Sequence, residues 1–162
     1  MKKYNFKKDG LTIIKKAIDP KIADFVYNYF LMKKQVTETF FNTKYISPFE
    51  KSWGVLGDLQ CPKSYSHYAD IAMELLLLQA LPTVEKHAKL KLSPTYSYAR
   101  VYTQGDELKR HTDRYSCEVS ATVNLGGSLW PIYIDPTGKQ GQAGIKVDLK
   151  PCLLYTSPSP RD

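Results

Sequence analysis

The run from Tyr98 to Gly127, YARVYTQGDELKRHTDRYSCEVSATVNLGG, constrains this chain most. Tyr96, Tyr98, Arg100 and Tyr102 alternate with Ser97, Ala99, Val101 and Thr103, the period of two that a strand requires. Gly105-Asp106 then turns the chain. Cys117, Val119, Ala121, Val123 and Leu125 alternate with Glu118, Ser120, Thr122 and Asn124, which predicts a second strand, apolar on one face and polar on the other. Between the two strands stand His111 and Asp113. An imidazole and a carboxylate at that spacing can take one face of an Fe(II) ion, as two of the three ligands of a 2-His-1-carboxylate set. His-x-Asp by itself arises by chance as a surface pair. Its place after an aromatic strand and before an alternating one gives it weight.

The rest of the chain supplies helices first and strands afterwards. Leu11 to Ile18 reads as a strand, and Asp19-Pro20 as an N-cap followed by proline at the first helical position. The helix that follows is expected over 20–33. From Gln35 to Ser64 the pattern breaks up around Pro48, Gly54, Gly57 and Pro62. A second apolar helix is expected over 65–80, with Tyr68, Ile71, Ala72 and Leu75 on one side, ended or kinked at Pro82. A further helical piece follows over 83–90. Strands are expected over 129–134 and 144–149, with a turn at Asp135-Pro136-Thr137-Gly138 between them. This order is α+β, and short strands in succession favour a sandwich or barrel.

At 162 residues the chain is one domain by size. Its net charge of +7 is uneven, with Lys2, Lys3, Lys7, Lys8, Lys15 and Lys16 near the start. Such a stretch reads first as a solvated face, and second as a contact for an acidic partner or nucleic acid. Cys61, Cys117 and Cys152 form neither a metal-type pair nor a disulfide framework, which suits a reducing compartment; Cys117 reads as a small core residue. No apolar segment is long enough to span a bilayer, and no secretory leader is evident, so a cytoplasmic location without membrane contact is expected. His67 and His87 read as surface residues, neither with a carboxylate partner at metal-ligand spacing.

After Lys150-Pro151 the composition shifts to CLLYTSPSPRD. That string resembles translated sequencing-adapter read-through. The expectation is a domain over 1–150 that is incomplete at its C-terminus, with 151–162 a non-native or disordered tail outside fold and site.

Tyr98-x-Arg100, Tyr102, Gly105, Leu108, His111-x-Asp113 and the strand ending Asn124-Leu125 resemble the core of the Fe(II)- and 2-oxoglutarate-dependent dioxygenases. The prolyl 4-hydroxylase-like branch is the most similar, and Leu81-Pro82 and Leu92 to Tyr96 fit its helical lead-in. The resemblance implies a double-stranded β-helix, or jelly roll, with N-terminal supporting helices. It implies His111 and Asp113 as iron ligands. Tyr102, nine residues before the histidine, Thr122, Asn124 and Arg100 become candidates for contact with 2-oxoglutarate. Each has a plainer reading: Tyr102 as a pocket-wall aromatic, Asn124 as a strand-end turn residue, Arg100 as an ion-pair partner. The implied reaction consumes 2-oxoglutarate and O2, releases succinate and CO2, and hydroxylates a C–H bond, with ascorbate as an accompanying reductant. A peptidyl, prolyl-type substrate is expected, or a small molecule. A nucleic-acid demethylase and a non-catalytic jelly-roll binding module are the alternatives. The family pattern also demands a second histidine and then Arg or Lys, and no histidine follows His111. Asp135 and Asp148 are weak substitutes for the third ligand.

Overall fold

The computed structural model describes residues 4–138 and 143–158. It contains three helices and eight strands among the described residues: α1 (Phe6–Asp9), β1 (Thr12–Ile14), α2 (Pro20–Asn42), β2 (Val55–Leu56), β3 (Tyr65–Tyr68), α3 (Ile71–Ala88), β4 (Tyr98–Val101), β5 (Val119–Val123), β6 (Trp130–Ile134), β7 (Ile145–Leu149) and β8 (Leu154–Pro158). Every strand pairing is antiparallel. The α+β class expected from the sequence is what the structure has. The chain divides into two compact units. The first comprises Met1–Asp24, Leu78–Thr95 and His111–Asp162; the second comprises Phe25–Leu77 and Tyr96–Arg110.

The first unit is organised around β8. It lies between β1 and β5, with Thr12 opposite Thr156 on one side and Ala121 opposite Thr156 on the other. Leu154 and Thr156 are fully buried, and the Thr156 hydroxyl donates to the Ser120 carbonyl at 2.8 Å. Residues 151–158, set apart above as a tail, are therefore part of the fold. Cys152 takes a positive φ of 61° and returns hydrogen bonds to both neighbours: its N–H donates to the Asn124 carbonyl, and its own carbonyl accepts from Ala17. The β6–β7 hairpin sets Trp130 opposite Leu149. Val147, Leu149 and Leu153 form a buried cluster, with Ile13, Ile132, Ile134 and Tyr155 packed around it.

The second unit holds the three-stranded sheet β2-β3-β4. Tyr65 to Tyr68, expected as helix, is strand β3. Tyr65 is fully buried, stacks at 5.0 Å on Phe30, and donates its hydroxyl to the Trp53 carbonyl at 2.6 Å. Ala69, at φ 54°, breaks the strand, and Asp70 caps the helix that follows through the N–H groups of Ala72 and Met73. Helix α3 then runs unbroken through Pro82, joining the two pieces expected from the sequence. Its buried stripe is Met73, Leu76, Ala80, Val84 and Ala88. Ile71 and Leu75, grouped on one side of the expected helix, are exposed.

Helix α2 runs nine residues past its expected end at Lys33, to Asn42. Thr37, Thr39 and Thr43 return their hydroxyls to carbonyls of the preceding turn, and Phe40 packs on Tyr45 and Trp53. Tertiary packing thus overrides the modest helix propensity of this β-branched, aromatic stretch. Gly57 shows why the following loop is rich in glycine. It sits at φ 83°, and a Cβ there would lie 2.3 Å from the Pro62 carbonyl oxygen. Gly57→Ala is expected to destabilise the chain by about 1–3 kcal/mol, since a strained backbone and a clash coincide. An unchanged urea midpoint would count against this turn.

Candidate functional site

His111 and Asp113 lie in the first unit, on the segment that leads into β5. The imidazole Nε2 is 3.6 Å from Asp113 Oδ1, and the two side chains are 30% and 45% exposed. The Ser120 hydroxyl, on β5, donates to Asp113 Oδ2. A strand residue thus anchors one carboxylate oxygen and leaves the other facing the imidazole. The two ligand atoms are close enough to share one divalent ion, and both groups are open to solvent. Among the described residues, no third His, Cys, Asp or Glu completes a metal-binding group with them. The pair fits two coordination positions. Asp135 instead closes its own turn on Thr137, and Asp148 pairs with Lys146 at 3.2 Å.

Thr122 and Asn124 are in the same unit. The Thr122 hydroxyl donates to Tyr155 Oη at 3.0 Å. Asn124 Nδ2 donates to the Leu149 carbonyl at 2.8 Å, and its Oδ1 accepts from the Gly126 N–H. The amide is engaged at both ends, tying the end of β5 to the end of β7. The apolar and polar faces expected for β5 are not separated by burial: Ala121 and Thr122 are both exposed, Val119, Ser120 and Val123 are half-buried, and Cys117, expected as a core residue, is only half-buried.

Arg100 and Tyr102 belong to the second unit. Arg100 Nη2 donates to Asp58 Oδ2 at 2.5 Å and to Gln60 Oε1 at 3.0 Å, and Nη1 to the Tyr102 hydroxyl at 3.2 Å. The guanidinium also stands over the Tyr98 and Tyr102 rings. Its side chain is 8% exposed, and its Nε is buried with no hydrogen-bond partner among the described residues. Burial works against that charge, but Tyr102 and Asp58 keep the guanidinium protonated. Burial pushes the Tyr102 hydroxyl up, with partial relief from Arg100.

Asp58 is the partner that sequence reasoning did not single out. Burial alone would raise its carboxyl. Hydrogen bonds from Tyr98, Arg100 and the Cys61 N–H outweigh that and hold it at about 2. A depressed carboxyl stabilises the fold above its unfolded value near 4, and that contribution is lost as pH falls from about 4 to about 2. It amounts to about 2 kcal/mol. Asp58→Asn is therefore expected to flatten the acid limb of stability between these pH values. An unaltered pH dependence would reject the pair's role.

His67 also departs from expectation. It is on β3, 11% exposed at its side chain, with Nδ1 3.2 Å from Asp70 Oδ2. The signal was present: an aspartate directly before an apolar run is a helix start, which makes Asp70 a fixed point beside His67.

No protein-family model matches the chain, and no curated protein sequence does. Among solved structures it is similar to a prolyl-4-hydroxylase from Pseudomonas putida, with a TM-score of 0.59 and 14% identity over 96% of this chain and 83% of that one. At that identity the likeness concerns the fold.

Proposed function

We propose that this chain is an Fe(II)- and 2-oxoglutarate-dependent oxygenase domain of the prolyl 4-hydroxylase-like branch, built on a jelly roll. The observation that carries the reading is the convergence of His111 and Asp113 on a prolyl-4-hydroxylase-like fold. When bound, the iron would supply the oxidative decarboxylation of 2-oxoglutarate and the hydroxylation of a C–H bond.

The residues have separate tasks. His111 Nε2 and Asp113 Oδ1 would hold the metal, and Ser120 fixes the carboxylate's orientation by its hydrogen bond. Arg100 and Tyr102 are assigned to a carboxylate of the cosubstrate. Support comes from the unpartnered Arg100 Nε, a buried donor that a bound carboxylate would satisfy. Asp58 holds the guanidinium in place. Thr122 and Asn124 set the position of β5, and through it of Ser120 and Asp113. A peptidyl substrate is assigned by resemblance alone, as is ascorbate.

With two protein ligands the metal is held weakly, so turnover is expected to be slow. The test is CO2 release from 2-oxoglutarate labelled at C1, in the presence of Fe(II). Slow, iron-dependent release that disappears in Asp113→Ala is expected. Equal release from Asp113→Ala would reject the ligand assignment. Binding of 2-oxoglutarate without iron, or no binding, would favour the non-catalytic module. Tyr102→Phe is expected to raise the 2-oxoglutarate requirement several-fold with little change in maximal rate, since one hydrogen bond is worth about 1 kcal/mol. An unchanged requirement would remove Tyr102 from the site.

A further inference from the structure

A polar cluster in the second unit has no part in the chemistry above. Asp70, 1% exposed, receives Lys33 Nζ at 2.5 Å, the Tyr29 hydroxyl at 2.8 Å and His67 Nδ1 at 3.2 Å, all on Oδ2. Its Oδ1 is committed to the N–H groups of Ala72 and Met73. Hydrogen bonds from Lys33 and Tyr29 overcome the effect of burial and keep Asp70 ionised.

This arrangement settles what His67 presents. A carboxylate only accepts, so Nδ1 carries the proton and Nε2 of the neutral ring is an acceptor. Burial, followed by the nearby Lys33 charge, favours the neutral ring. Nε2 has no hydrogen-bond partner among the described residues. Lys33 has three N–H donors, and among the described residues its acceptors are Asp70 and, more distantly, Tyr29.

Lys33, His67, Asp70, Tyr29 and Ser52 line a cavity of about 310 Å³. A second cavity, about 330 Å³, shares Tyr29, Lys33 and Ser52 and is otherwise walled by Met32, Val36 and Trp53. One end therefore offers a donor and an acceptor, and the other an apolar chamber. Lys33 and Asp70 cancel in charge, so a ligand carrying a full charge finds no uncompensated counter-charge in the cluster. A neutral group with a carbonyl and an N–H is matched at both points.

We propose that this pocket binds a peptide segment through one backbone amide, its carbonyl on Lys33 and its N–H on His67 Nε2, with the adjoining aliphatic side chain between Met32, Val36 and Trp53. The apolar mouth is open for such an occupant: Met32 is 66% exposed and Ile71 is 80% exposed. The proposal is independent of the iron reading, since none of these residues belongs to that site.

The test titrates N-acetyl-L-leucine amide into the full chain labelled with nitrogen-15. Saturable shifts confined to residues near Trp53 and 67–71 are expected. N-acetyl-L-leucine, which carries a carboxylate, is expected to bind about tenfold more weakly, and so is N-acetylglycine amide, which lacks the side chain. His67→Phe should abolish the preference for the amide over the carboxylate. Should that variant fail to fold, Met32→Ser, at an exposed wall position, should weaken binding of the leucine amide and spare the glycine amide. Tighter binding of the carboxylate would make this an anion pocket and overturn the proposal. Shifts that do not saturate, or that fall elsewhere, would overturn it as well.

Discussion

A chain stopped after Lys150 is expected to lose the native fold of the first unit. Strand β8 is the middle of its sheet, so its removal leaves β1 and β5 without the partner that each is paired to. It also removes Leu153 from the cluster with Val147 and Leu149, and removes the fully buried Leu154 and Thr156. Each buried leucine contributes roughly 1.5–3 kcal/mol. Together with the lost strand pairing, that loss rivals the whole stability of a typical domain, about 5–15 kcal/mol. The measurement is thermal unfolding by circular dichroism, with a nitrogen-15 spectrum of the truncated chain. Loss of dispersed resonances from β5 to β7 is expected. A truncated chain with the same midpoint and the same dispersion would show that β8 contributes nothing to the fold.

The second large effect concerns the metal rather than the fold. His111→Ala and Asp113→Ala are each expected to weaken Co(II) binding by at least about 100-fold, since even partners that only orient a ligand are worth 10–100-fold. Both side chains are substantially exposed, so thermal stability should change by no more than about 0.5 kcal/mol. Ser120→Ala, which removes the hydrogen bond to Asp113, should weaken binding by a smaller factor, about tenfold. Binding by either alanine variant that equals the unaltered chain's would mean that the pair is a surface contact.

How much of this was legible depends on the local signal. The strands β4 to β7 were readable because one face of each alternates with the other, and their observed limits fall within the expected runs. Helix α3 was readable as a helix but not as a face. Its Leu-rich centre is apolar on all sides, so periodicity gave no way to choose Met73 and Leu76 over Ile71 and Leu75. Strand β3 was lost into that helix for the same reason, although Asp70 marks the boundary. The His111–Asp113 pair could be found because both ligands sit on one short segment. Asp58 could not, because its partner Arg100 is 42 residues away and only the fold brings them together. The final strand was missed for a different reason: a Ser- and Pro-rich composition outweighed Leu153 and Leu154, which carry the burial.

The most direct measurement is paramagnetic broadening by Mn(II) in the nitrogen-15 spectrum, followed by addition of 2-oxoglutarate. Mn(II) is read at low occupancy, which suits a site with two protein ligands. We expect broadening centred on His111, Asp113 and Ser120 at substoichiometric metal, deepened when 2-oxoglutarate is added, and absent in a His111→Ala/Asp113→Ala double variant. Broadening scattered over other surface carboxylates, indifferent to 2-oxoglutarate and retained in the double variant, would contradict an oxygenase metal site at this pair.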